Sequence, residues 1–280
     1  MGPVQIFRRG DLTFDVRDSG PADGEAVVCL HGFPQDGSAY DAVTPLLTAA
    51  GLRVLVPDQR GYSPGARPRG RRPYVLRELV DDVVALLDEA GIDRAHVVGH
   101  DWGGGVAWAF ASRRAQRTLS LTALSTPHPA AMRDAMLHSD QARRSAYMLA
   151  FQLPGLPESR LLADGGAQLR SALRSADLPE RRVDHYVGRM LEPGALTAAL
   201  AWYRALPFGW APGGGFGAGI VHVPTVYLYG ARDRFFAPHG EHATPRYVRG
   251  PFRSIALDTG HWVPETRPQD VADAVLSLAG

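Results

Sequence analysis

The chain has 280 residues, 45% of them hydrophobic and 21% charged, and its 30 Lys plus Arg against 29 Asp plus Glu leave a formal charge of +1. That length buries a sizeable core, and the balanced charge offers no like-charge run of the kind that nucleic acid or an anionic lipid surface demands. The sequence contains no lysine and no asparagine, which excludes a Schiff-base lysine, a P-loop lysine, N-glycosylation and any mechanism that leans on an asparagine amide.

The opening residues, MGPVQIFRRGD, lack an apolar stretch of signal-peptide length, and nowhere do about 18 apolar residues run together, so a cytoplasmic protein with no membrane partner is expected. Residues 4–7 and 12–18 read as two strands joined by RRGD into an antiparallel hairpin at a sheet edge. Strands follow at 26–30 (AVVCL), 52–57, 95–99 and 119–125. Between them, 75–90 places Leu76, Leu79, Val80, Val83, Val84 and Leu87 at helical spacing, and Gly91 stands where that helix ends. Cys29, the single cysteine, lies inside an apolar run and reads as a buried small side chain. The basic cluster RPRGRR at 67–72 reads as a solvated loop.

After Ser125 the rhythm changes. Residues 127–219 carry helical patterns broken by Pro and Gly, ending in PGGGFGAG at 212–219. Strands then resume at 225–229 and 252–257, and 268–278 forms a closing amphipathic helix. Alternating strands and helices predict an α/β class with a mostly parallel sheet. The expected organisation is a core of 1–126 and 220–280 with a helical cap inserted at 127–219, and a cleft between them suited to a small molecule.

Chemistry concentrates where strands end. The strand at 95–98 runs into GHDWGGG (99–105) and then a helix, a sharp turn that presents its central residue, Asp101, at the carboxyl end of the sheet. The strand at 26–30 runs into HGFP (31–34). Phe33 N–H and Trp102 N–H are the expected pair of donors for an oxyanion hole, the Phe33–Pro34 bond is a candidate for the cis form, and His31 reads as a structural hydrogen-bonding residue. Asp233 in YLYGARD and His261 in LDTGHWVPE each follow a strand. Nucleophile, acid and histidine therefore come in the chain order of a hydrolytic triad, Asp101, Asp233 and His261.

HGFP, DQRGYSPGARP (58–68), GHDWGG, GARD and GHWVPE together resemble the soluble epoxide hydrolases of the α/β-hydrolase superfamily, over nearly the whole chain. The resemblance implies an α/β-hydrolase fold, a mostly parallel central sheet flanked by helices with an inserted helical cap. It also implies two cap tyrosines that polarise the epoxide oxygen: AYMLAFQLPG (146–155) resembles the first tyrosine motif and ALAWYRAL (199–206) the second, giving Tyr147 and Tyr203. The implied reaction adds water to an epoxide through an ester on Asp101 and yields a vicinal diol. It uses no metal and no cofactor, and its partners are a small apolar epoxide and water.

The expected pocket walls are Pro34, Phe151, Leu153 and Trp262, beside Phe33 and Trp102. The expected assembly is a monomer or a homodimer. A serine in the place of Asp101 would attack acyl carbon, so the aspartate argues against an esterase. The alternatives are a haloalkane dehalogenase-type hydrolase using the same aspartate, which here lacks an asparagine in the HGFP turn, and a small-molecule sensor without turnover. No helix shows the two-histidine spacing of zinc hydrolases, so no metal site is expected.

Overall fold

The computed structural model describes residues 2–209 and 219–279; of the expected 212–219 stretch, all but Gly219 lies outside the described residues. Eight strands form one sheet: β1 (Ile6–Arg9), β2 (Leu12–Ser19), β3 (Ala26–Leu30), β4 (Arg53–Pro57), β5 (Ala95–His100), β6 (Thr118–Leu124), β7 (Thr225–Gly230) and β8 (Phe252–Leu257), in the order β1-β2-β4-β3-β5-β6-β7-β8. The pairs β1/β2 and β2/β4 are antiparallel and all others parallel.

The edge hairpin occurs as expected but shifted. Arg8 and Arg9 belong to β1, and the turn is Gly10–Asp11, where Gly10 takes φ 57°. A left-handed residue at that point suits glycine. β3, β4 and β5 are buried along their whole length, as strands covered on both faces must be.

Alternation along these strands splits the core in two. Val28, Leu30, Leu55 and Val97 face the helices Leu76–Glu89 and Trp102–Arg113, while Val27, Cys29, Val54 and Val56 face Thr44–Ala49 and Pro268–Leu276. The helix Leu76–Glu89 buries the apolar positions Leu76, Leu79, Val80, Val83, Leu86 and Leu87. Val75 precedes it in extended backbone, one residue later than the periodicity predicts, and Gly91 follows with φ 65°.

Between β6 and β7 the described residues form the helices Pro129–His138, Gln141–Arg144, Tyr147–Phe151, Leu156–Ser175, Glu180–Leu191 and Ala195–Gly209. The fourth is broken at 163–166, where Asp164, Gly165 and Gly166 take positive φ. Several contacts tie this layer to the sheet. Trp202 Nε1–H donates to the Arg60 carbonyl at 2.8 Å, and Arg60 is itself buried against Asp82 at 2.6 and 2.7 Å. Arg189 reaches Asp36 at 3.2 Å and Asp58 at 3.1 Å. Tyr186 O–H donates to Glu265 at 2.9 Å. Among the described residues no helix is long and apolar enough to cross a membrane.

Candidate active site

Asp101 sits between β5 and the helix Trp102–Arg113 with φ 51° and ψ −120°, a conformation a non-glycine residue adopts only under strain. Two glycines make room for it. A Cβ on Gly32 would collide with the Asp101 carboxyl, and one on Gly103 would strike the carbonyls of Leu30 and His31. The turn is therefore held by close packing of two backbone segments, 30–32 and 101–103, which is why the strain persists.

The Asp101 carboxylate is differentiated. Phe33 N–H donates to Oδ1 at 2.8 Å, whereas Oδ2 stands 3.6 Å from His261 Nε2. Trp102 is the first residue of its helix, so its N–H belongs to the end whose amides have no intrahelical acceptor. Burial pushes the Asp101 carboxyl towards its neutral form, but His261, His100 and the Phe33 N–H outweigh it, and the group is held below the usual carboxylate range.

His261 Nδ1 lies 2.7 Å from Asp233 Oδ2. The other oxygen, Asp233 Oδ1, accepts Phe235 N–H at 2.7 Å and Phe236 N–H at 3.3 Å, which fixes the carboxylate and so the imidazole. Burial works to lower the His261 pKa, but the charges of Asp233 and Asp101 on either side carry it up to about 10.

Over Asp101 lies an aromatic cluster. Tyr203 is centred 5.0 Å from Trp102, 5.4 Å from Phe33, 5.1 Å from Phe151 and 6.2 Å from Tyr147. The Tyr203 ring meets Trp102 edge-on at 88° and Tyr147 at 68°. Burial first, and then negative charge on Asp101, pushes both phenols far above their ordinary range, so both keep their protons.

The structure thus brings together Asp101, Asp233, His261, Phe33, Trp102, Tyr147, Tyr203 and Phe151. Pro34 is buried beside them, after a cis peptide bond. Trp262 packs 5.1 Å from the His261 ring, with its indole donating to the Ala176 carbonyl at 2.8 Å. Leu153 is not brought in; it follows the helix Tyr147–Phe151 and is 48% exposed. His31 is buried, with Nδ1 3.0 Å from the Gly32 carbonyl and Nε2 accepting Gln59 N–H at 3.1 Å.

Sequence reasoning missed several residues. Phe235 packs 4.8 Å from the His261 ring and 6.2 Å from Tyr147. Behind the site, Gln35 Oε1 accepts Gly32 N–H at 2.7 Å and lies 2.8 Å from His100, whose other nitrogen is 2.9 Å from the His261 carbonyl. Gln35 also donates to buried Glu265 at 2.7 Å. The position of Gln35 directly after HGFP was the available signal.

The sequence model of the family described as alpha/beta hydrolase fold matches residues 25–268. The chain belongs to that family. This α/β hydrolase is 34% identical to "AB hydrolase superfamily protein YfhM" of Bacillus subtilis over 97% of its own length and 96% of the relative's. It is 31% identical to "Epoxide hydrolase A" of Mycobacterium tuberculosis, covering 94% of this hydrolase and 92% of that protein. Among solved structures, that of Epoxide Hydrolase A from Mycobacterium thermoresistibile superposes with a TM-score of 0.85 at 25% identity, over 99% of this hydrolase and 98% of that chain.

Proposed function

We propose that the protein is an epoxide hydrolase that adds water to a small apolar epoxide to give a vicinal diol. The observation that carries this reading is the pair of protonated phenols, Tyr147 and Tyr203, with rings centred 6.2 Å apart above an ionised aspartate. A carboxylate nucleophile and a nearby acid for an alkoxide leaving group are what epoxide opening requires.

In the first step Asp101 Oδ2 attacks a ring carbon, because Oδ1 is engaged by Phe33 N–H. A carbon–oxygen bond forms, the strained carbon–oxygen bond breaks, and the departing oxygen takes a proton from one tyrosine. Esterification removes the negative charge of Asp101, one of the two that hold the proton on His261, so the imidazole then gives up its proton to the tyrosinate and becomes the base for the next step. His261 takes a proton from water, the hydroxide adds to the Asp101 carboxyl carbon, and the oxyanion is met by the N–H groups of Phe33 and Trp102. Collapse expels the diol, whose departing oxygen takes the proton of the newly formed Asp101 carboxyl group, and leaves the carboxylate beside protonated His261 as at the start.

In this reading residues 127–219 form the cap that carries the acid, 1–126 and 220–280 the core that carries the nucleophile and base, and the enzyme works in the cytoplasm as a monomer or homodimer. The dehalogenase alternative would need a second side-chain donor for a halide beside Trp102, and phenylalanine stands at position 33 of a chain without asparagine.

The test is turnover of styrene-oxide-type and aliphatic epoxides beside 1-haloalkanes, by wild type and by Asp101→Ala. Diol from epoxides, abolished in the variant, supports the reading. Halide release without diol formation makes the protein a dehalogenase, and turnover of neither substrate favours a sensor.

A further inference from the structure

We propose a surface binding site for a borderline divalent cation, zinc above all, formed by Asp134, His138 and His239. Asp134 and His138 are four positions apart on the helix Pro129–His138 and therefore share a face. His239 comes from the helix Pro238–Ala243, 105 positions beyond Asp134. The two helices meet closely, because Gly240 has no side chain where Pro127 and Ala135 approach it.

That contact sets the geometry. His239 Nε2 lies 2.8 Å from Asp134 Oδ2 and His138 Nδ1 lies 3.0 Å from Asp134 Oδ1, with the two rings centred 6.2 Å apart and inclined at 26°. One ligand atom from each residue lies within 4.8 Å of the others. Tetrahedral zinc, with bonds of about 2.0–2.1 Å to nitrogen and oxygen, holds its ligand atoms roughly 3.3 Å apart. The carboxylate is already near that distance from each imidazole, so closure requires mainly that the histidine nitrogens draw together. His138, with its side chain 60% exposed, also has Nδ1 3.0 Å from the Asp134 backbone carbonyl, a contact that gives way when the ring turns to the ion.

Two imidazoles and one carboxylate select zinc, nickel or copper over magnesium and calcium, and the open side leaves a fourth position for water. The competing cation is Arg246, whose Nη1 lies 3.8 Å from Asp134 Oδ2 on a side chain 71% exposed. Zinc would displace it. The sequence pattern expects no metal site because two of the ligands lie on one helix and the third far along the chain. The bound ion would staple the segment leaving β6 to the helix that follows the Asp233 loop. None of the three ligands touches a group assigned to the reaction.

The experiment is calorimetric titration of the full chain, freed of metal with chelator, with zinc chloride at neutral pH, alongside thermal melts with and without zinc. The expected result is one equivalent bound, with zinc raising the Tm of wild type but not that of the double variant His138→Ala/His239→Ala. Affinity should fall about tenfold or more in His138→Ala and in His239→Ala and rise in Arg246→Ala. Turnover measured in chelator should be unchanged in His138→Ala, whose exposed side chain leaves folding intact. Absence of binding, or equal affinity in wild type and in the double variant His138→Ala/His239→Ala, overturns the proposal.

Discussion

The N–H of Phe33 donates to Oδ1 of Asp101 at 2.8 Å, and this one bond makes the two carboxylate oxygens unequal. In the proposed mechanism the oxygen it holds is the one on which negative charge collects when water adds to an ester of Asp101, so the contact that would aim the nucleophile would also supply a donor for the second step. With water adding at the carboxyl carbon, a single turnover in oxygen-18 water should place label in Asp101. Mass spectrometry of the peptide containing residue 101 reads this, and label found only in the diol would refute the covalent route.

Replacing His261 with Gln should leave ring opening possible while removing the base for hydrolysis. Stoichiometric loss of epoxide, a mass increase on Asp101 equal to the substrate, and steady-state turnover down by roughly 10²–10⁴-fold are expected. The burst phase separates this outcome from general inactivation.

The pair Tyr147→Phe and Tyr203→Phe should act on the other half of the reaction. Each single change is expected to slow ring opening, because the remaining phenol still donates. The double change should abolish the alkylation burst, while leaving the melting temperature near that of wild type, since phenylalanine keeps the ring packing around Phe33 and Phe151. A double variant that still alkylates at the wild-type rate would remove both tyrosines from the mechanism.

Stability should carry a pH signature from His261. Its pKa is raised on folding, so the folded state holds the proton more tightly. The stabilisation is complete below the ordinary value of 6.5 and is lost as pH climbs towards about 10. Melting temperatures measured across that window should fall more steeply for wild type than for His261→Gln, and parallel curves would show that the histidine is not held between two charges.

Asp82 offers a test of the scaffold. It pairs with buried Arg60 at 2.6 Å and with Arg9 at 3.0 Å. Asp82→Ala leaves Arg60 without a counterion in the core, a loss of about 3–5 kcal/mol measurable by urea unfolding. Removing both charges with Arg60→Met/Asp82→Leu should recover much of that stability.

The parts of the molecule legible in the sequence are those written in local pattern. The bounds of β3 and β8 and the burial of Cys29 follow from apolar runs, and Asp101, Asp233 and His261 are each announced by a strand followed by a turn. The parts that escape are made by contact between distant segments. Gln35 meets His100 at the end of β5 and Glu265 in the short helix Val263–Thr266 only because distant segments converge behind the site, and no spacing encodes it. Leu153 lies just past the helix Tyr147–Phe151, a single short turn and a half, so helical spacing has no hold on the direction of its side chain. The edge hairpin slipped by two residues because its register is set by where Gly10 turns, not by the apolar pattern of a half-exposed strand.

Trp202 and Tyr203 are neighbours in sequence with opposite duties, one fastening the helix Ala195–Gly209 to the Arg60 carbonyl and the other facing Asp101. For redesign of substrate range this divides the cap into unequal territories. Libraries built around residue 202 would disturb the acid with every change, because the anchor and the donor share a backbone. Residues 151–153 are tied to the same helix, with Gln152 donating to the Tyr203 carbonyl at 2.8 Å and Arg204 to the carbonyls of Phe151 and Leu153, whereas the side chain of Leu149 is 73% exposed and lies two positions from Tyr147. Selection for new epoxides should therefore accumulate substitutions at position 149 and leave position 202 unchanged.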